Sequence, residues 1–149
     1  MYPDPTLVFD GTDMVREENI DAYYSTFLQH FLIAKSTAPL YNLSLNGVVS
    51  TNSGTLHVKV MPADTLYHDS TNAVVVICQD SVQGMLGPQN WIASQFYTFP
   101  VSLFYPDSLD TTITFTHSIP VNKITGVLFM QDLNSKKVLQ ATKIKFSKD

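Results

Sequence analysis

One thiol and four imidazoles are the side chains of this sequence best suited to act as nucleophile or base: Cys78, His30, His57, His68 and His117. A Cys–His pair becomes a nucleophilic site when the thiol is accessible and a neighbouring ring or cation favours the thiolate. Cys78 instead closes the run Ala-Val-Val-Val-Ile-Cys. That places it in a buried strand, where an unactivated thiol is inert packing. A metal site on one element calls for His at i, i+4 or an H-x-E pair, and the four histidines have neither spacing. They read as surface or strand-end residues. Asp10-Gly11-Thr12-Asp13 sets two carboxylates in a turn, but a calcium loop needs a third oxygen ligand at alternate spacing and a closing Glu. A turn and a helix start at Asp13 are the expected roles. No G-x-S-x-G, phosphate loop or G-x-G-x-x-G occurs. The sequence is therefore read as not an enzyme, with no catalytic residue, no cofactor and no metal site.

Aromatic rings are the remaining candidates for contact. Trp91, Phe96, Tyr97, Phe99, Phe104 and Tyr105 cluster in a span that also holds Pro88, Pro100 and Pro106. Alternation puts Phe96 and Tyr97 on opposite faces of a strand, so some rings point outward and could stack on a sugar or a protein. The bland alternative is that they fill the end of the core. Trp91, Tyr97, Phe99 and Tyr105 are taken as candidate interaction residues, together with the amino-terminal strand Thr6, Leu7, Val8 and Phe9.

Composition narrows the partners. Ser, Thr, Asn and Gln together number 43 of 149 residues, nearly twice the 22 charged ones, which gives an uncharged polar surface of a kind that favours secreted β proteins. Nine basic against 13 acidic residues leave a net charge of −4, so no phosphate-seeking field covers the molecule and nucleic acid is not an expected partner. The charge is uneven. Residues 1–21 carry six acids and Arg16, a net of −5, whereas residues 136–149 carry five lysines and Asp149, a net of +4. The single cysteine excludes an intrachain disulfide. No stretch approaches the length of a membrane span. The first ten residues lack a basic start and an apolar run, so any export signal is expected to lie upstream or to have been removed.

These residues must be positioned by elements of two kinds. Ile20, Tyr23, Tyr24, Phe27, Leu28, Phe31 and Leu32 recur at helical spacing on one face, and the helix must stop before Pro39. From residue 40 onward the period is two. Leu43 and Leu45 alternate with polar residues until Asn46-Gly47 and Asn52-Ser53-Gly54 break the run, and Leu56, Val58 and Val60 follow. Residues 73–78 and 127–130 are apolar throughout; Ile113 and Phe115, then Ile144 and Phe146, alternate again. The expected fold is mainly β, an immunoglobulin-like antiparallel β-sandwich of about seven strands with one amphipathic helix near the N-terminus. The third and sixth strands, 73–78 and 127–130, should be neighbours. Because both are apolar on two faces, the helix is expected to cover their sheet, and Phe27→Ala or Phe31→Ala to destabilise by about 3 to 5 kcal/mol.

The stretches NAVVVICQDSV over residues 72–82 and TGVLFMQDLNSKKVLQAT over residues 125–142 resemble the carboxy-terminal immunoglobulin-like domain of bacterial outer-membrane surface proteins that carry a thioredoxin-like domain in front. DPTLVFDG over residues 4–11 is similar to the late thioredoxin strand that follows a cis proline. The resemblance implies that residues 1–38 are an N-terminal strand and helix derived from a thioredoxin tail, packing on the sandwich or on a neighbour, and that residues 39–149 form the sandwich. It implies an extracellular or cell-surface location and no redox centre in this chain. The resulting expectation is a non-enzymatic module for protein–protein contact, with protein as partner, self-assembling head to tail into a filament through the orphaned strand Thr6 to Phe9; pairing of the acidic head with the basic tail within one chain is the competing reading. An accessory domain of a thioredoxin-like oxidoreductase and a carbohydrate-binding module are the alternatives.

Overall fold

The computed structural model describes residues 6–9, 13–16, 19–36, 38–65, 68–85, 87–90 and 92–146. In chain order these form β1 (Thr6–Phe9), β2 (Asp13–Arg16), a 3-10 turn (Ile20–Ala22), α1 (Tyr23–Ser36), β3 (Tyr41–Val49), β4 (Ser53–Pro62), β5 (His68–Gln79), β6 (Val82–Gly84), β7 (Gly87–Gln89), β8 (Ile92–Leu103), β9 (Leu109–Thr116), a second 3-10 turn (Val121–Lys123), β10 (Ile124–Asp132) and β11 (Val138–Lys145).

Seven of these strands make two antiparallel sheets, one of four in the order β11-β10-β5-β8 and one of three in the order β3-β4-β9. β5 and β10, the third and sixth sandwich strands, pair from Thr71 to Gln79 of β5 along the whole of β10, with Val76 opposite Val127, as the two continuous apolar runs require. Leu56, Val58 and Val60 of β4 and Ile113 and Phe115 of β9 point inward and meet Ala73, Val75, Ile77, Leu128 and Met130 in one core. The alternation read from the sequence is therefore the alternation between core and solvent.

Two turn signals have another meaning. Asn46-Gly47 does not interrupt β3, which runs unbroken from Tyr41 to Val49. A Cβ on Gly47 would strike the backbone of Thr55 and the side chain of Leu56 on β4, so the glycine allows close approach of two strands rather than a bend. Gly54, likewise inside β4, lies under the Phe115 ring.

The amino-terminal region also differs from expectation. Asp13 is a strand residue opposite Phe9, not a helix start; the cap is Asn19, whose Oδ1 accepts from the Asp21 amide at 3.0 Å. Strand β1 is not orphaned, because Thr6↔Arg16, Leu7↔Val15 and Val8↔Met14 pair it with β2. The helix contributes no residue to the buried clusters, although Tyr23, Thr26, Phe27, His30 and Ala34 along one of its faces are half-buried. None of the residues of α1 is buried, and the half-buried apolar residues packed against Val74, Val76 and Cys78 are Val127 and Phe129 of β10.

Candidate interaction surface

Cys78 lies on β5, His30 half-buried on α1, His57 on β4 and His117 just after β9. Cys78 is buried on the outer face of β5, and burial pushes its thiol up, with the nearby Asp80 adding to the effect. Such a thiol stays protonated and sheltered, the opposite of an activated nucleophile. His117, at the end of β9, is buried with Nδ1 2.9 Å from the Ile119 carbonyl and Nε2 2.9 Å from the Ser50 carbonyl. Its ring therefore pins the β3–β4 turn to the loop after β9. His57 is exposed, with Nδ1 2.9 Å from Thr112 Oγ1. The side chain of His68, and the whole of Asp10, Gly11 and Thr12, lie outside the described residues. Among the described residues no group of three or more His, Cys, Asp or Glu could hold a metal ion.

The aromatic span divides by strand parity. Phe96 points out from β8 and is 64% exposed, whereas Tyr97 and Phe99 turn inward and pack against the core. The Tyr97 hydroxyl donates towards Gln95 Oε1 at 2.9 Å and the Thr114 carbonyl at 3.0 Å, and Gln95 Nε2 donates to the Thr116 carbonyl at 2.7 Å. These bonds use the outward carbonyls of the edge strand β9, so the expected platform residues Tyr97 and Phe99 serve instead to close the side of the sandwich. Tyr105 is about half exposed beside Phe104 in the turn after β8, and Trp91 lies outside the described residues. For Thr6, Leu7, Val8 and Phe9 the strand is described but the side chains are not.

The motifs that carried the resemblance are the strands β5, β10 and β11 with the turns that follow β5 and β10. In QDLNSKK, Asp132 Oδ1 accepts from the Ser135 amide at 2.6 Å, the Ser135 hydroxyl at 2.8 Å and the Asn134 amide at 3.0 Å, and Lys136 takes the left-handed φ of 63° that ends the turn. The bonds from Ser135 hold the Asp132 carboxyl below the usual range. In CQDSV, Ser81 has φ 59°, its amide donates to Asn90 Oδ1 and its hydroxyl accepts from Lys123 Nζ at 2.9 Å. The cleft of about 400 Å³ beside it is lined by Asp80, Ser81, Ile119, Pro120 and Lys123, and the Lys123 ammonium there is bonded to Ser81.

Sequence reasoning missed a buried polar link and an exposed apolar one. Tyr41 Oη lies 3.4 Å from Thr71 Oγ1, which donates to the Val101 carbonyl at 3.1 Å, joining β3, β5 and β8 in the core. Outside, the largest group of exposed apolar side chains on one element belongs to α1: Tyr24 (78%), Ile33 (62%), Leu32 (53%), Phe31 (50%) and Leu28 (37%). The helical period marked most of these residues. What it could not reveal was that the core is complete without them.

Fold and surface together define a two-sheet β-sandwich module with an apolar helix at its side. In structure the chain is similar to HBP35 of Porphyromonas gingivalis, with a TM-score of 0.65 at 7% identity over 79% of this chain and 45% of that one. It spans less than half of that chain, and at this identity the likeness is one of fold. Matches also extend to a domain of the outer membrane lipoprotein Omp28 from Porphyromonas gingivalis, at TM-score 0.46 and 15% identity over 74% of this chain and 91% of that one. A beta-glucosidase from Kluyveromyces marxianus gives TM-score 0.41 and 10% identity over 72% of this chain and 14% of that one. No protein-family model and no curated protein matches the sequence.

Proposed function

We propose that the chain is a non-enzymatic β-sandwich module of a bacterial cell-surface protein, and that its role is contact with another protein. The observation that carries this reading is α1. Four of its large apolar side chains are at least half exposed, and none of its residues is buried. Exposed apolar residues that the fold does not use and that gather on one element mark an interaction surface. The buried, protonated Cys78 and the carbonyl-bound His117 support a non-enzymatic role, since neither is placed to attack or deprotonate a substrate. Surface location is drawn from the sequence resemblance.

Head-to-tail growth by donation of β1 is the weaker form of self-assembly, because β1 already pairs with β2 and only its other edge is left to recruit a sheet. Replacing Tyr24 with a photo-cross-linking amino acid in the living source tests the contact reading. Covalent adducts with protein are the expected result; illumination that leaves the chain unmodified would contradict it.

A further inference from the structure

Asp21, Tyr24, Leu28, Phe31 and Lys35 follow one another at intervals of 3, 4, 3 and 4 residues, and all five are exposed. The 3-10 turn carrying Asp21 leads straight into α1, so these residues form one stripe along the helix. Alternating intervals of three and four keep such a stripe facing a partner helix. The charged ends of the stripe are also self-complementary, and Leu32 beside it supplies the apolar mate of Tyr24. About Leu28, Asp21 and Lys35 stand seven residues to either side, and Tyr24 and Leu32 four residues to either side. Two copies laid antiparallel with a two-fold axis at Leu28 bring Asp21 against the partner's Lys35 twice, Tyr24 against the partner's Leu32 twice, and Leu28 against itself. A parallel pair would instead set like charges together at both ends.

We propose that α1 is a two-fold dimer contact whose occupant is the α1 of a second copy of this chain. This rests on the reading of the chain as a contact module and names its partner. Burial of Tyr24, Leu28, Phe31 and Leu32 drives association, while the exposed ion pairs add little affinity but set direction and partner. Because both copies use the same patch, the assembly closes at two and does not grow into a filament. A single helix pair is small for a specific interface, so the dimer dissociates on dilution.

Light scattering of the full chain across a concentration series, with Asp21→Lys and Lys35→Glu variants, tests the contact. The expected wild-type particle at high concentration is a dimer. Each variant alone meets like charge at both ends and stays monomeric, and mixing the two restores a dimer, because the lysine at position 21 of one then meets the glutamate at position 35 of the other. Circular dichroism of the variants should match wild type. A monomeric wild type, a dimer indifferent to both reversals, or particles that keep growing would each overturn the proposal. Cross-links from position 24 to a different protein, with a monomeric wild type, would overturn the dimer and leave the contact reading standing.

Discussion

The Tyr97 hydroxyl and the Thr114 carbonyl, 3.0 Å apart, tie the outer strand of the four-stranded sheet to the outer strand of the three-stranded one. The bond converts an aromatic residue that could have served a ligand into a side closure of the sandwich. Tyr97→Phe keeps the ring against the core and removes only the hydroxyl's bonds to Thr114 and Gln95, so unfolding free energy should fall by about 0.5 to 1.5 kcal/mol. Urea titration of the two proteins measures it, and an unchanged midpoint would mean that the closure contributes nothing.

His117 makes a similar tie at greater depth. Replacement by Leu leaves the Ser50 and Ile119 carbonyls without the ring nitrogens now 2.9 Å from each, and the loss should be about 1 to 3 kcal/mol. Thermal unfolding of His117→Leu should show a lowered midpoint with the native β-sheet spectrum retained.

Gly47→Ala should destabilise by about 1 to 3 kcal/mol, because the added methyl meets the Thr55 backbone, which cannot rotate away. A tolerated Gly47→Ala would show that β3 and β4 can part without loss.

These cases also show what the sequence discloses. Alternation of Leu56, Val58 and Val60 and the paired runs ending at Cys78 and Met130 identified core faces and central strands, because burial acts on side chains one strand at a time. Asn46-Gly47 misled because a glycine looks the same whether it bends a chain or admits a neighbour. Asp13 misled because β2 is too short to show a period. The Tyr41–Thr71–Val101 link depends on partners far along the chain. The exposure of α1 was hidden for the same reason: periodicity marks an apolar face but does not say which molecule covers it.

Alkaline pH should weaken the fold. Burial pushes the Cys78 thiol up, and burial likewise raises Tyr41 despite its bond with Thr71. Both groups hold their protons more tightly folded than unfolded. Their contribution is complete below the unfolded values, about 8.5 for the thiol and about 10 for the phenol, and is lost as pH rises beyond them. Urea midpoints should be level from neutral pH to about 8 and then decline, with the earlier part of the decline missing in Cys78→Ala. Native protein should also label slowly with a thiol reagent, and rapid labelling would contradict the burial of Cys78.

The central claim is that the exposed apolar residues of α1 are surplus to the fold and belong to a contact. The unfolding free energy of Phe31→Ala under conditions where the wild type is monomeric tests this most directly. Half-exposed Phe31 on a helix with no buried residue should yield a loss below about 1 kcal/mol. A loss of about 3 to 5 kcal/mol, the usual consequence of emptying a core position, would mean that the helix face is part of this chain's own core and would contradict the account.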